Sequence, residues 1–169
     1  NKLPALMLSI SEPMLYKDFD KVLELAKDAN IMDIFLFTNG TLMNKKNSEK
    51  ILNSSVTRLF FSVDAATSDI YNKVRIPVSN RLKNLNRLEN LEKNIKNFIK
   101  MRDDLNKELP IVRTSFVALE KNNFQIKNFI NKWVDIVDSV EVQRETSIKA
   151  YDDIKSGKYN LKNIQQNYN

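Results

Sequence analysis

The sequence contains no cysteine and no histidine, and this double absence removes several common chemistries. Without a thiol there is no disulfide framework, and without an imidazole there is no nucleophile–histidine pair and no histidine-bound metal. No apolar run approaches the ~20 residues that a membrane span needs. The start at Asn1 shows no basic stretch followed by an apolar one, so no signal peptide is predicted. We therefore expect a cytoplasmic protein that does not contact a membrane.

The length and composition of the chain predict one domain with a hydrophobic core. The chain has 169 residues, of which 42% are hydrophobic, so disorder is not predicted. The net charge of +6 comes from 27 basic and 21 acidic residues, which permits an anionic partner. However, lysine and asparagine are abundant along the whole chain, and no RNA-binding or helix-turn-helix motif is present. A basic nucleic-acid-binding module is therefore the least favoured function, and nucleic acid is not expected as a partner.

Short apolar runs alternate with segments of helical periodicity, which predicts β-α-β units and mostly parallel strands. The predicted strands are Ala5–Ile10, Asp33–Phe37, Arg58–Val63, Ile111–Leu119 and Ser139–Gln143. The predicted helices are Phe19–Ala29, Asn44–Asn53, Leu85–Leu105 and Phe124–Ile136. Residues 76–84 are predicted to form a loop. With right-handed crossovers, such a sheet would curl into an open or partial barrel. Residues 1–150 would form this domain and residues 151–169 a polar tail.

Polar residues follow each predicted strand, and in a parallel sheet these strand ends meet at one rim. The first two strands are followed by Ser11-Glu12-Pro13 and Thr38-Asn39-Gly40, and the third carries Ser62 and Asp64 at its end, with Arg75 shortly beyond. Taken one at a time, such residues are more often helix caps and turn formers. Taken together, they predict a ligand pocket at the rim.

Four segments in this order resemble the core domain of radical S-adenosylmethionine (SAM) enzymes. They are LSISEPML at Leu8–Leu15, FTNGTL at Phe37–Leu42, FSVDAATSDIYNKVR at Phe61–Arg75 and LEKNNFQIKNF at Leu119–Phe129. The resemblance extends over residues 5–145. It implies a TIM-barrel-like partial barrel that binds SAM. In the family, one electron from an iron–sulfur cluster held by three cysteines cleaves SAM to methionine and a 5′-deoxyadenosyl radical.

The resemblance implies which residues bind the amino-acid end of SAM. Backbone groups at Ser11, Glu12 and Pro13 would hold its amino group, because carbonyl oxygens accept hydrogen bonds from an ammonium. Arg75 would neutralise the carboxylate with two parallel hydrogen bonds. Ser62 would bind the ribose or carboxylate region.

The other implied positions surround the rest of the cofactor. Asn39 and Asp64 would line the pocket floor, and Val117 and Val142 would flank the adenine. The sequence departs from the family at Ile10, Ser11 and Ala65, where glycine is usual.

The family's CxxxCxxC cluster loop has no counterpart here, and we expect it before Asn1 in a longer parent protein. A cysteine-rich C-terminal extension is also expected there, which suggests a peptide or protein substrate. Without cysteine, this chain alone would be inactive. The alternative is a degenerate core that binds a peptide or protein without catalysis, which the lost glycines would favour.

Overall fold

The computed structural model describes residues 4–9, 11–76 and 87–144. In these ranges five strands form one sheet in sequence order, and every neighbouring pair of strands is parallel. The strands are β1 (Ala5–Leu8), β2 (Asp33–Thr38), β3 (Arg58–Ser62), β4 (Ile111–Ala118) and β5 (Ser139–Arg144). All five were predicted. β1 ends at Leu8, and Ile10 lies outside the described residues.

Within the described ranges, five helices lie between these strands. They are α1 (Phe19–Asp28), α2 (Lys45–Leu52), α3 (Ser68–Val74), α4 (Arg87–Asp104) and α5 (Ile126–Trp133). Short 3-10 helices, Pro13–Leu15 and Asn123–Gln125, lie before α1 and α5. Most of the predicted loop at 76–84 and the whole predicted tail at 151–169 lie outside the described residues. None of the helices in the described ranges could cross a membrane.

The helix α3 is absent from the sequence prediction. Its seven residues, SDIYNKV, are mostly polar and bury only Tyr71 completely. An apolar stripe is the signal from which a helix is predicted. A helix that buries one side chain gives almost no such signal, and its position is set by tertiary contacts.

The hydrophobic core lies between one face of the sheet and the helices. Leu36, Leu59 and Val112 are in register on β2, β3 and β4 and have no exposed surface. The ring of Phe116 on β4 lies 4.9 Å from that of Phe129 on α5. Each such fully buried side chain contributes roughly 1.5–3 kcal/mol. The packing of these side chains therefore stabilises the sheet that carries the strand ends.

The other face of the sheet carries a mixed aromatic and charged surface. Phe37 stacks on Phe60 with ring centroids 4.4 Å apart, and the Arg113 guanidinium lies 4.9 Å above the Phe60 ring. Arg113 also donates to Glu141 at 3.1 Å. Residues at alternate positions of a strand point to opposite faces. The even alternation along β2 and β4 thus separates this surface from the core.

Asn44 begins helix α2, where its side chain accepts a hydrogen bond from the Asn47 amide at 3.0 Å. Replacing Asn44 with alanine should lower the free energy of unfolding by about 1 kcal/mol, because the amide loses its partner. Asn44→Asp should keep most of the stability, and Lys46→Ala, an exposed change in the same turn, should alter it little. Urea unfolding measures all three. Equal stability of Asn44→Ala and Lys46→Ala would contradict the capping role.

Candidate functional site

The loops that follow β1 and β2 are joined by one buried carboxylate. Both oxygens of Glu12 lie 2.9 Å from the Thr38 hydroxyl, which donates to them, and Oε2 accepts from the Asn39 amide at 2.8 Å. Glu12 is only 6% exposed. A buried carboxylate is tolerated only where donors surround it. The Glu12 side chain therefore holds two strand-end loops together, and the backbone of this segment is what remains to contact a ligand.

The turn after β2 is closed by its own side chains. Asn39 Oδ1 accepts from the Thr41 amide at 2.9 Å, and Thr38 Oγ1 accepts from the Gly40 amide at 2.9 Å. Gly40 has a φ of +70°, a conformation that favours glycine. The Gly40 carbonyl accepts from Asn94 on α4 at 2.9 Å. This turn is thus attached to both the rim and the helix layer.

Asp64, directly after β3, connects three neighbouring segments. Its Oδ1 accepts from the Val117 amide at 2.7 Å, and its Oδ2 accepts from Arg75 Nε at 2.7 Å. Its backbone carbonyl accepts from the Asn122 side chain at 2.9 Å. Asp64 has a φ of +62°, which a residue with a side chain adopts at a cost of roughly 1–2 kcal/mol. Strained backbone of this kind is concentrated at functional sites.

The end of α3 is supported by a second arginine. Arg87 donates to the Arg75 carbonyl at 2.7 Å, and its guanidinium lies 5.2 Å from the centroid of the Tyr71 ring. Burial raises the pKa of the Tyr71 phenol, although Arg87 and Arg75 oppose this shift. The Tyr71 phenol thus stays neutral at physiological pH, and Arg75 remains beside an uncharged ring.

Two buried side-chain amides of this site are not among the predicted site residues. Asn122, with no exposed surface, accepts from the Leu119 amide at 2.6 Å and donates to the Val117 carbonyl at 3.0 Å. Gln125 accepts from the Ala66 amide at 2.9 Å. Both bring the end of β4 against the loop after β3. Both residues lie in the segment LEKNNFQIKNF, but no pattern in the sequence distinguishes their side chains from exposed polar residues.

The structure joins five of the nine predicted site residues, in two hydrogen-bonded groups at the carboxyl ends of the strands. Glu12 contacts Asn39, and Asp64 contacts Arg75 and the backbone of Val117. Exposed Ser11 has a φ of +58°, and Pro13 begins the following 3-10 helix.

Ser62 and Val142 lie on opposite faces of the sheet. Ser62 is in register with Ser115, on the face that carries Phe60. Val142 is in register with Phe116, on the helix side, and is 38% exposed. The Val142 side chain thus points away from the face that carries Ser62, and only the Val142 backbone could flank an adenine.

Metal ligands are absent from the part of the chain that the structure describes. No three histidine, cysteine, aspartate or glutamate side chains there could hold a metal ion together. The whole sequence has no cysteine. An iron–sulfur cluster needs thiolate ligands, so the residues of this chain do not fit one.

Comparison with known families agrees with the order of the rim segments. Residues 1–109 match the family model of the radical SAM superfamily, which is more than half of the chain. The chain belongs to this superfamily. The family uses SAM and a 4Fe–4S cluster, and this member supplies polar groups at the rim but no cluster ligand. The match does not favour the alternative of a non-catalytic binding core.

Two archaeal proteins described as probable GTP 3′,8-cyclase are similar to part of the chain. The protein of Methanocaldococcus jannaschii is 36% identical over 67 residues, which is 40% of this chain and 22% of that protein. The protein of Methanococcus maripaludis is 33% identical over 69 residues, 41% of this chain and 23% of that protein. The chain thus spans less than a quarter of the length of these relatives.

Solved structures of the Streptococcus suis protein SuiB share the fold. SuiB bound to its precursor peptide SuiA superposes with a TM-score of 0.64 and 17% identity, covering 87% of this chain and 30% of that one. SuiB bound to SAM gives a TM-score of 0.63 and 19% identity, covering 96% and 35%. At this identity the likeness establishes the fold alone. The predicted partial barrel of the radical SAM type, with parallel strands, is confirmed.

Proposed function

We propose that this chain forms most of the SAM-binding rim of a radical SAM enzyme. The observation that carries the proposal is the position of Arg75. Its guanidinium is held against Asp64 at the ends of β3 and β4, and its side chain is still 33% exposed. A cation fixed at the rim of a parallel sheet and open to solvent suits an anionic ligand group.

The other rim residues would bind the remaining parts of SAM. Strand-end backbone at Ser11 and Pro13 would accept from the amino group, while Glu12 keeps that segment in place through Thr38 and Asn39. The half-buried Ser62 hydroxyl would reach the ribose or the carboxylate. Val117 and the backbone of Val142 would flank the adenine. These assignments follow the family resemblance and agree with a site whose internal hydrogen bonds hold the rim in one conformation.

The cluster ligands must come from outside this sequence. We propose that a parent protein carries the three cysteines before Asn1, and that generation of the 5′-deoxyadenosyl radical belongs to that complete protein. The domain boundary near residue 150 and the cytoplasmic location stay predictions.

Binding of SAM tests the role of this chain. Isothermal titration of the 169-residue chain with SAM should give a saturable signal. Arg75→Gln should weaken binding roughly tenfold to a hundredfold, because a hydrogen bond to a charged group is worth about 1.5–3 kcal/mol. Arg58→Gln, which changes an arginine at the amino end of β3, is the matched control and should leave binding unchanged. Equal binding by wild type and Arg75→Gln would contradict the assignment.

The parent protein provides the second test. After anaerobic reconstitution of its cluster, it should form 5′-deoxyadenosine from SAM under reducing conditions. A parent protein that contains the cysteines and a reconstituted cluster but never cleaves SAM would contradict the proposed enzyme class.

We propose a peptide or protein as the substrate. The support is that the SuiB structure of similar fold is bound to a precursor peptide, and that Phe37 and Arg113, both half-buried on the face opposite the core, leave an aromatic and a charged side chain open to contact. The partial relatives are described as probable GTP cyclases, so GTP is the comparison compound. Incubation of the reconstituted parent with candidate peptides and with GTP, followed by mass spectrometry, distinguishes the two. Conversion of GTP alone would overturn the peptide proposal.

A further inference from the structure

Asp64 is held more firmly than the arginine it contacts. The side chain of Asp64 is 6% exposed, whereas that of Arg75 is 33% exposed. The Val117 amide fixes one carboxylate oxygen of Asp64, and Asn122 fixes its carbonyl. The Asp64 amide points to the Ser115 carbonyl, 3.4 Å away. These contacts come from β4 and from the loop after it, so they hold the carboxylate in place independently of Arg75.

The second carboxylate oxygen of Asp64 then sets the direction of the guanidinium. Oδ2 lies 2.7 Å from Arg75 Nε and 2.5 Å from Nη2. A guanidinium has five N–H donors in a rigid plane, and these contacts use two of them. Because the plane is rigid, holding one of its edges against Asp64 also fixes the direction of the remaining N–H donors. Free arginine side chains carry about 2 kcal/mol of rotamer entropy, so a preset direction favours binding.

We propose that Asp64 is a positioning residue, which orients Arg75 toward the carboxylate of SAM without touching SAM itself. The inference rests on the proposed function of the rim. The backbone of Asp64 gives independent support for this role. A φ of +62° at an aspartate persists only where surrounding contacts hold it. A glycine would adopt this conformation without strain but would offer no carboxylate to Arg75.

A pair of ligands separates positioning from general support of the fold. SAM carries the amino-acid carboxylate, and 5′-methylthioadenosine has the same nucleoside without it. With its oxygen turned to the Val117 amide, the side chain of Asp64→Asn keeps that acceptor and places an uncharged NH₂ group beside Arg75 in place of a carboxylate oxygen. Titration of this variant should show about tenfold weaker binding of SAM, or about 1.4 kcal/mol. Binding of 5′-methylthioadenosine should stay within about twofold of wild type.

Asp33→Asn is the matched control. Asp33 also pairs with an arginine, Arg58, at 3.4 Å, but at the amino end of the sheet. This variant should bind both ligands like wild type. If Asp64→Asn weakens both ligands by the same factor, or weakens neither, the positioning role is wrong.

Arg75→Lys keeps the test decisive if Asp64→Asn does not fold. Lysine retains the charge but cannot be oriented as a plane, so it should lose SAM affinity selectively. Full SAM affinity in Arg75→Lys would overturn the inference. If Arg75→Gln leaves SAM binding intact, the proposed function of the rim fails. If Arg75→Gln weakens SAM while Asp64→Asn and Arg75→Lys do not, only the positioning role fails.

Discussion

Replacing Glu12 with alanine is expected to lower the free energy of unfolding by about 2–4 kcal/mol, because a buried hydroxyl and a partly buried amide lose a charged acceptor. The donors are the Thr38 hydroxyl and the Asn39 amide, at 2.9 and 2.8 Å from the carboxylate. Thr38 is 2% exposed, so water cannot easily replace the missing partner. Urea unfolding measures the loss.

Two further variants test the cause of that loss. Glu12→Gln keeps one acceptor oxygen and should lose less stability than alanine, with the difference reporting the charge. Glu24→Ala, on an exposed part of α1, should change stability by less than about 0.5 kcal/mol. If Glu12→Ala and Glu24→Ala were equally stable, Glu12 would not join the two loops. Glu12→Ala should also weaken SAM binding, since the loop after β1 would lose its attachment to β2.

The strands were predictable because their signal is local. In a parallel sheet covered by helices, a strand reads as a short apolar run, and DIFLF and RLFFS are such runs. The ends of the strands follow from the polar residues after them. The rim could therefore be placed from the sequence, along with Glu12, Asn39, Asp64 and Arg75.

What the sequence could not show is how these residues are paired. Arg75 lies eleven positions after Asp64, and the two meet because α3 turns the chain back toward the rim. A helix with one fully buried residue gives no apolar stripe, so this return was invisible. Gln125 reaches Ala66 across 59 positions, a contact that only the packing of α5 establishes. Val142 was predicted to flank the adenine, but its side chain points to the helix side of the sheet. The face to which a strand residue points depends on strand register, which the sequence alone does not give.

Gly40→Ala is expected to lower the free energy of unfolding by about 2–4 kcal/mol, because two separate penalties act at one position. The first is conformational, since Gly40 has a φ of +70°. The second is steric. An added Cβ would overlap the Leu91 side chain on α4 and would lie 2.9 Å from Cδ1 of Phe61 on β3. Both neighbours are buried in the core, so neither moves without disturbing its own packing.

Asn106→Ala separates the two penalties. Asn106 also has a positive φ, +51°, but is exposed, so alanine there should lose only a conformational part, less than about 1–2 kcal/mol, because asparagine already bears some of that cost. Chemical denaturation of both variants, with unchanged m-values, gives their difference, which is an upper limit on the steric part. Equal losses would mean that Leu91 and Phe61 accommodate the methyl group. A larger loss at Gly40 would show that the turn after β2 approaches the core as closely as the backbone permits. The turn would then require glycine at position 40, because a side chain there would displace Leu91 on α4.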